Sequence, residues 1–418
     1  MFDLTINFIK KIKRKLFPFY KDKKLKIIFK TLQEGFPDKT ITARFVGGCV
    51  RKYILNDIID DIDVATILNT NEIKEKFKNT NFKIIDTGTK HGTVTLVVDK
   101  LKIELTTLRK DVKTDGRHAE VEYINDWKLD SERRDFTINA IYLDINGNIY
   151  DPQLGLFDLK NKNVKFIGDP NLRIKEDYLR IIRLLRFAIQ YNSNNDKTTI
   201  DALKTNLNGI KKISKERIFN ELMKMLSLKN FDNILKHHNK KNIFSLIFPE
   251  LKYLNRLEKL NKVKKIININ QFTLLLILLI DTTDNHEYFA YKYNISNNFK
   301  TRLNLFNKNL ILFKKDNNFL RDDLMKNIYL YGKNHLIFLN TLIFTDNSKI
   351  TVNDFININK RIINTKIPKF PINGKYLLQN GMKEGSTLGR ILKIIEDEWI
   401  VNGFKISKDR VKEIIKSN

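Results

Sequence analysis

Cysteine is nearly absent: among 418 residues there is one, Cys49, so no internal disulfide framework can form and a reducing compartment, the cytoplasm, is expected. Set between Gly48 and Val50, that thiol reads as a small packing residue rather than a nucleophile. Long apolar runs are missing as well. The longest, residues 272–280, falls well short of the roughly 20 residues a membrane helix needs, so no membrane span is expected. No internal repeat and no low-complexity linker interrupts the chain. Negative charge is scarce: 48 Asp and Glu stand against 76 Lys and Arg, a formal net charge of +28. A surplus spread along the whole chain favours a polyanion, nucleic acid, over an acidic small molecule, although a compositional bias toward Lys, Asn and Ile contributes to it. Residues 6–16 carry Lys10, Lys11, Lys13, Arg14 and Lys15 without an apolar core followed by small residues. That pattern is not a secretory signal and reads as a basic amphipathic helix lying on RNA or on its own domain.

The hydrophobic fraction, 42%, suffices to fold a chain of this length throughout, and the length calls for several domains. The densest chemistry lies in residues 45–66, F-V-G-G-C-V-R-K-Y-I-L-N-D-I-I-D-D-I-D-V-A-T. A β-rich run enters Gly47 and Gly48, and a helix is expected to follow, so the backbone N–H groups there, with Arg51, could hold a polyphosphate. In an extended segment Asp61 and Asp63 point one way while Ile62 and Val64 point into the core, an arrangement suited to a hard divalent cation. Taken singly, Gly-Gly is a turn and an Asp pair is a cap or a solvated edge.

Their order and spacing, Gly-Gly-x-Val-Arg and then Asp-x-Asp-x-x-Thr, resemble the head of the class II tRNA nucleotidyltransferase and bacterial poly(A) polymerase family. The resemblance continues downstream. Residues 93–98 and 101–108 form a predicted hairpin turning at Asp99-Lys100, and its second strand presents Glu104 on a polar face, similar to the family's third acidic position. Three converging carboxylates would hold Mg²⁺, with Asp61 and Asp63 as the ligands the resemblance implies. Residues 109–128 are polar, contain Asp115-Gly116-Arg117 and read as a mobile loop. E-R-R-D-F-T-I-N-A-I, residues 132–141, is similar to the second family motif, which assigns Arg134, Asp135 and Asn139 to the incoming nucleotide and its ribose. D-P-Q-L-G-L-F-D-L, residues 151–159, is similar to the third, a structural support.

From about residue 166 the periodicity becomes helical. Residues 173–187 read as one helix, with Leu179, Ile182, Leu185 and Ile189 on an apolar stripe and Asp177, Arg180, Arg183 and Arg186 recurring every third residue. Charged rows are usually solvated, but Asp177 and Arg180 one turn apart can act as a pair on one planar ligand. Cytosine and adenine both place an exocyclic amino donor beside a ring-nitrogen acceptor, whereas guanine and uracil reverse that order, so one carboxylate and one guanidinium suit C and A alone. Glu176-Asp177-Tyr178-Leu179-Arg180 resembles the family's Glu-Asp-x-x-Arg motif, to which that selection is attributed. S-K-E-R-I-F-N-E-L-M-K-M-L, residues 214–226, resembles the fifth motif, a helix opened by a Ser cap. Residues 374–392 resemble the family's tail, where glycine turns either offer amides to phosphates or simply turn the chain.

The expected fold is therefore α+β: a polymerase-beta-like nucleotidyltransferase head with a small mixed sheet (1–165), then an all-helical neck (166–235), body (236–345) and tail (346–418). The resemblance implies template-independent addition of C, C and A to the 3′ end of tRNA from CTP and ATP, without an obligate protein partner. Its site would comprise Asp61, Asp63 and Glu104 for catalysis and Gly48, Arg51, Arg134, Asp135, Asn139, Asp177, Arg180, Arg183 and Arg186 for the nucleotide. Lys52 stands where the family usually has Asp, and Asn56 where Gly is common. The rivals are a poly(A) polymerase, against which residues 88–95 lack a basic arginine segment; a CC-adding enzyme, against which residues 109–128 are full length; and a catalytically silent RNA-binding protein, against which the carboxylates are intact.

Overall fold

Alternation of buried and exposed residues builds the N-terminal half, and the computed structural model describes residues 18–88, 92–115 and 118–417. The expected basic helix at residues 6–16 lies outside the described residues, as do residues 89–91 of the stretch 88–95. The chain divides into two units, Met1–Pro249 and Glu250–Asn418.

In the first unit, helix α1 (Lys23–Gln33) is started by Asp22, whose carboxylate accepts the backbone N–H groups of Lys24 and Leu25, and it buries Leu25, Ile28, Phe29 and Leu32. Strand β1 (Ala43–Val46), helix α2 (Gly48–Ile54), strand β2 (Ile62–Thr66) and helix α3 (Thr70–Phe77) follow, with α3 closed by a capping box between Asn69 and Glu72. Next come β3 (Lys83–Gly88), β4 (Thr93–Val98) and β5 (Leu101–Thr107), and after the segment below, short β8 (Tyr142–Leu143) and β9 (Ile149–Tyr150). They form one seven-stranded sheet in the order β3-β4-β5-β2-β1-β8-β9. Only β2 and β5 pair in parallel, so the sheet is mixed, as expected. The β4–β5 hairpin turns at Asp99, held at φ 50° where Asp is among the tolerated residues.

Two expectations are corrected here. Residues 109–128 are not a loop: β6 (Arg109–Asp115) and β7 (His118–Tyr123) pair as a separate antiparallel ribbon, with Arg109 opposite Tyr123 and Lys110 opposite Glu122, and helix α4 (Trp127–Glu132) follows. Nor is 173–187 one helix. After α5 (Gly155–Lys160), α6 (Pro170–Glu176) ends where Asp177 turns extended, φ −154° and ψ 105°, and α7 (Leu179–Tyr191) begins afresh. At the break the Asp177 carboxylate accepts the Leu179 N–H at 3.1 Å, a local bond that favours the start of the new helix. The remaining helices of this unit are α8 (Lys197–Asn206), α9 (Lys215–Leu226) and α10 (His238–Ile247). Ser214 occupies the N-cap position of α9, but its hydroxyl makes no capping hydrogen bond.

The second unit is helical among its described residues. The apolar run is helix Gln271–Leu279, fully buried from Phe272 onward. Arg256 fixes its end by donating to the carbonyls of Ile277 at 2.7 Å and Ile280 at 2.8 Å. Near the C-terminus Leu377, Ile391, Ile395, Val411 and Ile414 form a core of their own. No helix of the described residues is long and apolar enough to cross a membrane.

Candidate active site

Strand β1 runs into Gly47, whose φ of +71° glycine adopts at little cost and a side-chain-bearing residue only with strain, and the chain turns there into α2. Antiparallel register places Val46 opposite Asp63, and parallel register places Asp63 opposite Glu104 on β5. The sheet thereby sets the Gly-Gly turn against Asp63: a Cβ added to Gly47 would lie 3.4 Å from the Asp63 Oδ2. Asp61, just before β2, is exposed and Asp63 half-buried. Burial, with Glu104 and then Asp61 adding like charge, raises the Asp63 carboxyl above its usual range. Asp61 and Asp63 line a cavity of about 870 Å³; Glu104 is exposed and is not in its lining. Among the described residues no three His, Cys, Asp or Glu side chains close around one point as a ready-made metal cage.

The opposite wall is cationic. Arg51 donates to the Asn139 amide oxygen and to the Tyr191 hydroxyl at 3.2 Å, with its guanidinium 5.0 Å from the Phe187 ring centroid. Asn139 in turn donates to Asp135 at 2.6 Å, and Arg183 reaches the same carboxylate at 2.7 Å. Burial would raise Asp135, but Arg183 and the Asn139 bond prevail and hold it down at about 2. Arg186 stacks 4.1 Å above Phe187 and donates to Glu221 at 2.8 Å. Glu221, 3% exposed, also receives Lys224 at 3.2 Å.

Sequence reasoning gave Glu221 no role and missed Asp130 altogether. The side chain of Asp130 is wholly buried, accepting Arg133 at 2.8 Å, Arg134 at 2.9 Å and the Tyr142 hydroxyl at 2.7 Å. Despite burial, Arg134 and Arg133 hold it well below the usual carboxylate range. The only sequence signal is its spacing, three and four residues before the two arginines, as in a helical ion pair.

Asp177 and Arg180 both line the cavity, yet they do not pair with each other. Asp177 accepts Arg217 of α9 at 2.6 Å, while Arg180, 8% exposed, donates to Glu176 at 2.5 Å and to the Arg173 carbonyl at 2.8 Å. Every residue expected at the nucleotide, Gly48, Arg51, Arg134, Asp135, Asn139, Asp177, Arg180, Arg183 and Arg186, borders this one cavity. Lys52 also borders it and pairs with Asp60.

Comparison with known proteins fits this arrangement. The Poly A polymerase head domain matches residues 43–165, and the probable RNA and SrmB-binding site of polymerase A matches residues 196–254. The mitochondrial CCA tRNA nucleotidyltransferase 1 of Danio rerio is 32% identical over 395 residues, covering 91% of this chain and 88% of that protein. The CCA-adding enzyme of Staphylococcus haemolyticus is 32% identical over 404 residues, covering 94% and 96%. The chain belongs to the CCA-adding tRNA nucleotidyltransferases. Its fold is that of other CCA-adding enzymes: the Bacillus stearothermophilus enzyme in complex with CTP superposes with a TM-score of 0.65 at 21% identity over 93% of this chain and 95% of that one. The Thermotoga maritima enzyme complexed with tRNA gives 0.60 at 22% identity, covering 96% and 98%. In this CCA-adding enzyme Lys52, paired with Asp60, lines the same cavity as Asp61 and Asp63.

Proposed function

We propose that this protein adds C, C and A in turn to the 3′ end of tRNA, taking CTP and ATP and releasing pyrophosphate. The observation that carries the reading is the convergence of an acidic sheet edge, a cationic wall and both Asp177 and Arg180 on one cavity. Nucleotidyl transfer of this family uses a divalent metal, and Mg²⁺ is the ion proposed. The donors fit it: Asp61 and Asp63 are hard oxygen ligands at the cavity, and the like charge that adds to burial in raising Asp63 is what a cation would offset. Bound there, it would activate the primer 3′-hydroxyl and neutralise the leaving pyrophosphate.

The rest falls to the chain's own groups. Arg51, held by Asn139, and the Gly48 amide are placed for the triphosphate. Arg134 is fixed by Asp130 and stands ready to receive the nucleotide without reorganisation. Asp177 is aimed by Arg217 and the Leu179 N–H but retains free lone pairs, so it can accept the amino group of C or A while Arg180 donates to the ring nitrogen. The division into head (1–165), neck (166–235), body (236–345) and tail (346–418), with the helical part holding tRNA, and a cytoplasmic location belong to the same proposal.

Incubation with tRNA ending at the discriminator base, with each triphosphate alone and together, tests the reading. Three additions that require both CTP and ATP are expected; a long ladder of A would make the protein a poly(A) polymerase, and a stop after two C additions a CC-adding enzyme.

A further inference from the structure

A second cavity, of about 300 Å³, is lined by residues of α7, α8 and the start of α10, away from the nucleotide cavity. One wall is apolar, built from Leu185, Leu203 and Ile243. The other carries Lys236, His237 and Lys240, and no Asp or Glu is among the described lining residues. Lys240 is 6% exposed, and its ammonium has no hydrogen-bond partner. An unpaired buried cation is costly, and such a group calls for an acceptor that the protein itself does not supply. Its position compounds the cost. Lys240 sits in the first turn of α10, where the helix dipole is positive, where no acidic residue stands, and where the N-cap residue His237 makes no capping bond. The His237 ring is tied instead to the Asn192 amide oxygen at 2.6 Å. Burial, then Lys240 and Lys236, push the His237 ring below its ordinary value, which reports the same concentration of positive charge. Burial lowers Lys240 only to about 8, so it remains mostly charged at neutral pH.

We propose that this cavity binds the phosphate group of a nucleotide unit, with Lys240, Lys236 and the opening turn of α10 holding the anion and the apolar wall receiving the sugar or base. The flexible four-carbon stem of Lys240 lets its ammonium turn toward an arriving acceptor. The proposal rests on the reading of the protein as one that handles tRNA, since α8 and α10 fall within the matched segment 196–254. The phosphate comes from an RNA strand or from free phosphate or nucleotide, and the two sources separate experimentally.

The full-length Lys240→Met protein is compared with wild type in two arms: the thermal shift given by inorganic phosphate, and tRNA affinity across a salt series. For an RNA phosphate, the variant binds tRNA several-fold more weakly and its log–log salt slope falls by about one. For a free ligand, the variant loses part of the phosphate-induced rise in Tm while tRNA affinity holds. A Lys240→Met protein that melts like wild type and changes in neither arm overturns the proposal. If that variant folds poorly, the exposed Lys236→Ala decides instead, on the same two readouts. Neither residue borders the nucleotide cavity, so CCA addition at saturating tRNA stays at the wild-type rate in both variants. Failure of wild type to add CCA would refute the functional reading and leave the anion measurements standing.

Discussion

Replacing Asp130 by Asn removes one charge and leaves two guanidinium groups behind. Arg133 and Arg134 have side chains only 15% exposed, and both converge with the Tyr142 hydroxyl on a carboxylate of zero exposure. The hydrogen bonds that Arg133, Arg134 and the Tyr142 hydroxyl donate to this charged group, at ~1.5–3 kcal/mol each, would sum to more than the true loss, because the asparagine oxygen still accepts some of them. The better guide is the breaking of a buried ion pair by removal of one partner, about 3–5 kcal/mol. At an m-value of ~3 kcal/mol per molar urea, that is a midpoint lowered by about 1–1.7 M. Trp127 is the reporter, since its ring packs edge-on to Tyr142 with centroids 5.6 Å apart. The other tryptophan, Trp399, lies in the second unit and is silenced by Trp399→Phe in both proteins. The pH dependence supplies an independent check. Asp130 is depressed in the folded state, so its contribution is fully present above the unfolded value near ~3.9 and is lost as pH falls through the folded one. The gap between wild type and Asp130→Asn should stay constant from about pH 5 to 8 and close below about pH 4. A midpoint within about 0.2 M of wild type at pH 7, or a gap that widens in acid, would refute the assignment of Asp130 as the anchor of both arginines.

Asp61→Ala and Asp63→Ala should abolish nucleotide incorporation while tRNA affinity in a gel shift stays within about twofold, because phosphate contacts and not these carboxylates carry RNA binding; wild-type turnover in either removes the metal assignment. Asp177→Ala should raise UTP and GTP use relative to CTP and ATP by about ten- to a hundredfold, from ~1–3 kcal/mol of lost base discrimination. Arg180→Ala should impair C and A together, and unchanged kcat/KM ratios in both variants would take this pair out of base selection. The Cys49 thiol, fully buried and pushed up to about 11 by burial, should resist thiol reagents at pH 8 in the folded protein and react once in urea; prompt labelling of the native protein contradicts the packing role.

The elements that were legible from sequence share a short-range cause. The β4–β5 hairpin follows from alternation and an Asp-Lys turn, and Ile103 and Leu105 are buried while Lys102 and Glu104 are exposed, as their parity requires. The Gly-Gly turn and the Asp pair likewise lie within one β-α-β unit. The β6–β7 ribbon was hard to read because R-K-D-V-K-T-D has no apolar face to alternate, although its partner H-A-E-V-E-Y does alternate Ala119, Val121 and Tyr123 with polar residues; the ribbon forms a sheet of its own, paired for one at Lys110 against Glu122.

The break at Asp177 was hidden for a different reason, and it bears on selectivity. Apolar periodicity runs straight through it, and the local cap explains where a helix starts but not why the previous one must stop. The second half of the answer is 32 positions downstream. Gly209 lies so close to the Tyr178 ring that an added Cβ would fall 2.0 Å from it, so the tyrosine is seated against a glycine backbone and cannot follow a continuous helix without leaving that seat. With Tyr178 held there, the Asp177 carboxylate is directed to Arg217 of α9 and to the cavity. An intact helix from 173 to 187 would put Asp177 and Arg180 one turn apart on one face, the geometry that spacing alone suggests. In the folded chain the two approach the cavity from a helix break and from a helix, each braced by its own partner, Arg217 for the acid and Glu176 for the base. Selection of C and A then depends on the packing that sets the angle between those partners as much as on the two residues that face the nucleotide.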